Sequence, residues 1–387
     1  MSVSCLRTIF VLCILTALQL SSAAQRITHI GAEQGINGQQ TFNIVQGKKG
    51  FLWISTRFGV DRFDGLNIKK YFMDILYNGT MPIRTIRVEL GRDSSLWAYT
   101  DRGTIYKYDE DRDEFLVYKD LKTYIRWLCF DSNNNIWVTT GKDIGVLQDN
   151  SLQIISRLQK QGTGYRRISL LDKDRLLLVS NEQVLQYDVK QKTVSAIIDD
   201  KLIKEKGIVS ETCLYEPSDG RIWVGTVNKG LFVYSLKNKN LTPVGDARLW
   251  YHPVLSIARF NPDYILVGTE GMGAYLLNTN NLSIEKFYNQ QGGEKARISG
   301  NAVYDVYKDA GGKVWLSTFS DGISILDFTE RGFNTIQHEK NNPNSLSRDI
   351  VCDILEDTDG TLWFATNNDL CFWNRKTNQW RRVLNET

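Results

Sequence analysis

The sequence predicts an all-β chain and, within that class, a β-propeller of four-stranded antiparallel blades. Three observations carry this. A motif of the form Leu-Trp-x-x-Thr recurs along the chain. Its copies lie 40–49 residues apart. Aromatic residues and glycines are abundant while prolines are few, with 10 Trp, 17 Tyr, 16 Phe, 30 Gly and 6 Pro in 387 residues. Aromatic side chains suit a pleated, half-buried surface, and glycine suits the tight turns between strands.

The clear copies are Leu52-Trp53-Ile54-Ser55-Thr56, Leu96-Trp97-Ala98-Tyr99-Thr100, Ile136-Trp137-Val138-Thr139-Thr140, Ile222-Trp223-Val224-Gly225-Thr226, Val314-Trp315-Leu316-Ser317-Thr318 and Leu362-Trp363-Phe364-Ala365-Thr366. Two weaker copies place Leu177 and Leu266 in the Trp slot. All eight carry a hydroxyl residue three positions later. An alternating strand precedes each copy, as in Ile350-Val351-Cys352-Asp353-Ile354-Leu355, and a polar turn such as Asp131-Ser132-Asn133-Asn134-Asn135 joins the two. A second turn follows the Trp strand, with Gly59, Gly103, Gly230, Gly273 or Gly322. A third strand comes next, such as Leu231-Phe232-Val233-Tyr234, and then a more polar fourth, such as Asn67–Phe72. One such sheet cannot bury both its faces, so units of this period stack around an axis. The repeat tryptophans are then core residues packed between blades. Arg26-Ile27-Thr28-His29-Ile30 stands alone before the first unit and is placed to close the ring against the last blade. Eight units fit a seven-bladed ring plus one extra blade, the start of a second propeller; the alternative is an eight-bladed ring.

Residues 1–24 read as an export signal. Arg7 is followed by an apolar run from Ile9 to Leu20 and by Ser21, Ser22, Ala23 and Ala24. Such a run is too short to cross a hydrocarbon core of ~30 Å. No later apolar run approaches a membrane span, so the mature chain is expected to be soluble and exported. The predicted layout is a signal peptide at 1–24, a propeller at 25–340 and an eighth repeat at 341–387.

The charge balance of 47 Lys+Arg against 44 Asp+Glu argues against a nucleic-acid binder. Cys129, Cys213, Cys352 and Cys371 remain after the signal, with no CxxC pair, and are expected to be buried free thiols. His29, His252 and His338 have no ligand-spaced partners, so neither a metal site nor a His-based triad is predicted, and no cofactor is implied. The acidic stretch Asp109–Glu114 lacks the glycine of a calcium loop and reads as a solvated hairpin tip. No catalytic constellation is evident, and the chain is not read as an enzyme.

The unit from Val45 through Trp53, Asp61 and Gly65, and the stretch Asn344–Ser347 through Trp363, closely resemble the regulator-propeller repeat. That repeat characterises the sensor regions of hybrid two-component systems in Bacteroidetes-type bacteria, and the similarity covers the chain from about Ile27 to Asn385. The resemblance implies a periplasmic, dimeric sensor region that binds oligosaccharides and regulates polysaccharide-utilisation genes. It also implies a second propeller, a membrane span and kinase domains that this sequence does not contain. A stand-alone binding or scaffold propeller is the first alternative, and a propeller lyase or glycosidase the second.

Loops that join strands two and three, and loops that lead into first strands, share one face of a propeller, where function usually resides. On that face the sequence places Arg57, Arg84, Tyr124, Arg126, Arg166, Trp250, Tyr251, His252 and Phe319 as candidate ligand-binding residues. Aromatic faces suit sugar C–H surfaces, and arginine suits hydroxyls and acidic groups. Tryptophans 127, 250, 373 and 380 fall outside the repeat slot.

Overall fold

A computed structural model of the chain describes residues 26–72, 85–149, 151–158, 163–293, 295–328, 336–338 and 342–383. The predicted export signal lies outside these residues. The described strands form eight four-stranded antiparallel sheets, in two compact units, Met1–Thr329 and Glu330–Thr387.

The first unit opens with β1 (Arg26–Ile30). Blade 1 follows as β2 (Thr41–Gln46), β3 (Leu52–Thr56), β4 (Gly59–Phe63) and β5 (Ile68–Phe72). Blade 2 is β6 (Ile86–Leu90), β7 (Leu96–Thr100), β8 (Thr104–Asp109) and β9 (Glu114–Asp120). Blade 3 is β10 (Trp127–Phe130), β11 (Ile136–Thr139), β12 (Asp143–Gln148) and β13 (Ser151–Arg157). Blade 4 is β14 (Tyr165–Leu170), β15 (Arg175–Ser180), β16 (Val184–Asp188) and β17 (Thr193–Ile198), and helix α1 (Asp200–Lys206) leads out of it. Blade 5 is β18 (Ser210–Glu216), β19 (Arg221–Thr226), β20 (Leu231–Ser235) and β21 (Asn240–Pro243). Blade 6 is β22 (Val254–Asn261), β23 (Tyr264–Thr269), β24 (Gly273–Asn278) and β25 (Ile284–Tyr288). Blade 7 takes β26 (Val303–Lys308), β27 (Val314–Thr318) and β28 (Ile323–Asp327) from the end of the unit and β1 from its start.

The first strands of the blades touch in a cycle, β2 to β6, β10, β14, β18, β22 and β26, and β26 returns to β2. The ring therefore closes on seven blades, which removes the eight-bladed alternative. β1 supplies the closure: Arg26 pairs with Asp327 and Ile30 with Ile323 in an antiparallel register.

Seven apolar clusters fill the seven seams between consecutive blades. Each holds one Trp-slot residue. Trp53 meets Tyr71 of its own blade and Tyr108 and Phe115 of the next. Burying an indole strands its N–H unless an acceptor is built in. Trp137 donates to the Asp131 carboxylate at 2.9 Å and Trp315 to Asp309 at 2.8 Å, both in the preceding turn, while Trp97 donates to the Ser95 hydroxyl at 2.7 Å.

The recurrent hydroxyl caps the next turn. Thr226, Thr269 and Thr318 donate to the carbonyls of Gly230, Gly273 and Gly322, at 2.8, 2.8 and 2.7 Å. Ser180 does the same to Gln183 at 3.1 Å and Thr366 to Asp369 at 2.9 Å. A turn this tight brings backbones together. Gly273 has φ +99°, and a Cβ there would collide with the carbonyl oxygen of Tyr288.

The acidic tip between β8 and β9 differs from its expected role as a solvated turn. Asp113 receives Arg62 at 3.0 Å, Tyr71 and Tyr108 at 2.5 Å each, and Lys69. Glu110 pairs with Lys48 at 3.0 Å and Lys49 at 2.9 Å. The tip is a clasp that holds blade 2 to blade 1. The thiols also depart from expectation: Cys129 and Cys371 are buried, Cys213 is half-buried and Cys352 is exposed on an open strand, and all four are free.

The second unit is one blade, β29 (Val351–Glu356), β30 (Thr361–Thr366), β31 (Leu370–Asn374) and β32 (Gln379–Val383). Its core is small: Leu346, Phe364 and Cys371, flanked by the stacked rings of Trp373 and Trp380. Ile354 and Leu355 on β29 stand 57% and 65% exposed.

Candidate ligand site at the axial mouth

Ring closure turns the first strands into the wall of an axis. Strand pairing defines one tier on that wall. Arg87, Trp127, Arg167, Thr212, Ser256 and Asp305 each pair with the residue two beyond the Trp slot of their blade. Asn43 holds the same place in blade 1, its N–H donating to the Ser55 hydroxyl at 2.9 Å.

Arg167 links this tier. Its guanidinium donates to Thr212 Oγ1 at 2.6 Å and reaches the Leu255 carbonyl at 3.4 Å. It also lies 4.1 Å from the centre of the Trp127 ring, and Arg87 lies 4.2 Å from the same ring. Glu89 and Asp305 provide the opposing charge. Burial pushes the Glu89 carboxyl up to about 7, against the pull of Arg167. Asp305 is raised for the same reason, although its carboxylate accepts from the Ile44 N–H at 3.2 Å.

Above this tier the first strands bulge. The register shifts between Tyr165 and Arg167, Ser210 and Thr212, Val254 and Ser256, and Val303 and Asp305. A bulge frees one residue from the ladder and re-aims its side chain. The freed residues include Arg166, Glu211 and Tyr304. Glu211 is shared by two arginines, Arg126 and Arg166, each at 3.3 Å. Arg166 Nε also donates to Asn181 at 2.8 Å. Across the mouth Tyr304 stacks on Phe42 at 6.1 Å and meets Phe319 edge-on at 5.6 Å.

A pocket of about 150 Å³ opens beside the shared carboxylate, walled by Arg87, Tyr99, Asp101, Tyr124, Arg126, Trp127, Arg166 and Glu211. Tyr124 is 48% exposed, so its ring faces whatever arrives. The pocket offers arginine donors, carboxylate acceptors and aromatic faces, the set that grips a hydroxylated small molecule. Among the described residues no group of His, Cys, Asp and Glu is arranged to hold a metal.

The sequence-selected residues divide at this point. Tyr124, Arg126 and Arg166 are brought together here. Phe319 belongs to the aromatic side of the mouth. Arg57 lies exposed in the turn between β3 and β4 and does not line the pocket. Trp250, Tyr251 and His252 sit on the loop before β22, where Trp250 donates to the Val244 carbonyl at 3.3 Å and Tyr251 adopts φ +67°. That cluster does not line the pocket. Arg84 lies outside the described residues. Sequence reasoning missed Glu211, Arg87 and Arg167. Trp127 carried a signal, since it is a tryptophan outside the repeat slot.

These features define a seven-bladed propeller with a polar and aromatic axial mouth. The two-component regulator propeller family matches residues 345–368. The fold resembles the extracellular domain of the hybrid two-component system BT3049 from B. thetaiotaomicron, with a TM-score of 0.65 and 19% identity over 92% of this chain and 48% of that one. The extracellular domain of BT4673 from the same organism aligns with a TM-score of 0.62 and 15% identity, over 92% of this chain and 53% of that one. The chain thus spans about half the length of these solved domains. Virginiamycin B lyase from Staphylococcus aureus shares the fold with a TM-score of 0.59 and 14% identity, over 78% of this chain and 99% of that one. No curated protein sequence matches the chain.

Proposed function

We propose that this chain is the ligand-recognising propeller of an exported sensor, and that it binds a glycan fragment at the axial mouth. The observation that carries the reading is the pair Arg126 and Arg166 held on one carboxylate beside the exposed Tyr124 ring. Two cations sharing one acid keep donors for a ligand, and the aromatic ring supplies a stacking face. The resemblance to extracellular domains of hybrid two-component systems supports the sensor role and export. In this reading the chain recognises and does not turn over its ligand, and signalling belongs to domains beyond it. The exposed Ile354 and Leu355 of the eighth blade support its assignment as the first blade of a second ring.

Titration of glycan fragments against the chain lacking residues 1–24 tests this. Saturable binding is expected, weakened at least about tenfold in an Arg126→Ala/Arg166→Ala variant with an unchanged melting temperature. Depolymerisation of the glycans by the purified chain would replace the sensor reading with the lyase one. Absence of binding across the pool would remove the glycan as ligand.

A further inference from the structure

A second cavity, of about 650 Å³, lies along the seam between blades 4 and 5. Its position coincides with a break in the repeat. Leu177 occupies the Trp slot of this seam and packs against Ile222, Val224, Phe232 and Tyr234. Blade 6 carries the same replacement at Leu266, but its seam holds the ring pair Phe260 and Phe328, 4.6 Å apart. The seam of Leu177 keeps its space, and α1 covers one end of it.

The chemistry of the groove runs from end to end. Ile197, Leu202, Ile222, Tyr234 and Leu236 supply its apolar lining, and Gln186 joins the charged residues as polar lining. At the α1 end the rim carries Asp199, Lys201 and Glu205. At the far end, where the turns after β14 and β20 meet, the lining charges are Arg175 and Lys239, both positive. Arg175 is held rigid by Asp172 at 2.7 Å and by Gln186 at 2.9 Å. Lys239 has no ion-pair partner among the described residues. Leu171 and Leu177 stand where blade 3 has Asp131 and Trp137, so both partners of that indole hydrogen bond are replaced by leucine at this seam.

We propose that this groove binds an elongated small molecule with an apolar body and one anionic head, the head lying at Lys239 and Arg175. The apolar lining suits the body of such a ligand, and the cations at one end suit its head. The proposal is independent of the glycan reading, because the groove shares no residue with the axial mouth.

Anilinonaphthalene sulfonate, an aryl body with one sulfonate, is the probe. Its fluorescence titration against the full chain lacking the export signal is expected to show one saturable site. Ala196 is exposed on the groove wall, so Ala196→Trp fills the groove without entering the core. That variant is expected to bind at least about tenfold more weakly, as for a blocked apolar site. Lys239→Glu should weaken binding about three- to fivefold, the reach of one exposed charge. An Ile354→Ser/Leu355→Ser variant, altered on the eighth blade, should keep the site. Wild-type isotherms from both Ala196→Trp and Lys239→Glu would overturn the proposal, as would loss of the signal in the eighth-blade variant alone.

Discussion

Arg167 is one residue on one first strand, yet its guanidinium meets Trp127 of blade 3, Thr212 of blade 5 and Leu255 of blade 6. It also offsets the carboxylates of Glu89 in blade 2 and Asp305 in blade 7. Removing one partner of a buried charge cluster leaves the others uncompensated. Arg167→Ala should therefore cost about 3 kcal/mol in urea unfolding, the lower end for such a loss because the Arg167 side chain keeps some exposure. Glu89 adds a pH dependence with a definite sign. Its folded value of about 7 stands above the ordinary 4.5, so the folded state holds a proton that the unfolded chain has released. The stability this confers is complete below about pH 4.5 and is lost as pH rises through about 7. Glu89→Gln should flatten that segment of the stability curve, measured by thermal melts across the window. A slope unchanged by the substitution would assign the dependence to another group.

At the scale of the element, the blades rest on two recurrent local devices, a buried indole, replaced by Leu177 in blade 4 and Leu266 in blade 6, and a hydroxyl-capped turn. Trp315→Ala should destabilise by about 3–5 kcal/mol, the cost of emptying a large aromatic site. Thr269→Val removes only the bond to the Gly273 carbonyl and should cost about 1 kcal/mol. Chemical denaturation separates these two magnitudes readily. Both devices were legible in the sequence because they are short-range: the turn acceptor, the indole and the hydroxyl fall within about ten residues and recur at a fixed offset. The clasp at Asp113 was not legible. Its partners Arg62, Lys69 and Tyr71 lie on the preceding blade, and only stacking brings them to the tip. Read alone, Asp109–Glu114 is simply acidic. The groove beside α1 was half legible, since Leu177 marks the broken slot but not whether neighbouring rings refill it.

For the whole molecule, ring closure decides what assembles. Tyr124 and Arg126 come from the loop before β10 and Arg166 from the start of β14, and all three were selected from the repeat pattern. Glu211 joins them only because a bulge in β18 turns it toward the mouth. Arg87, Arg167 and Asp305 are separated by more than a hundred residues in places, and nothing local marks them as neighbours. Closure also predicts which terminus matters to the ring. Deleting residues 26–30 removes β1 from blade 7, strips Ile30 from the blade 7–blade 1 seam and should abolish cooperative melting. Ending the chain at Thr329 leaves the seven blades intact and should leave the ring's melting temperature unchanged. Calorimetry of the two truncations distinguishes them.

The strand that closes the ring has a temporal consequence as well. His29 and Ser324 are hydrogen-bonded neighbours 295 positions apart in the chain. The first described strand to be synthesised is therefore the last to find its place, because its partner does not exist until blade 7 has been made. Contacts of such long sequence separation are slow to form and carry the largest loop-closure cost. A ribosome or a translocation pore thus handles an open arc of blades with a free leading strand. The completed ring forms only after the seventh blade has emerged, on whichever side of the membrane that happens.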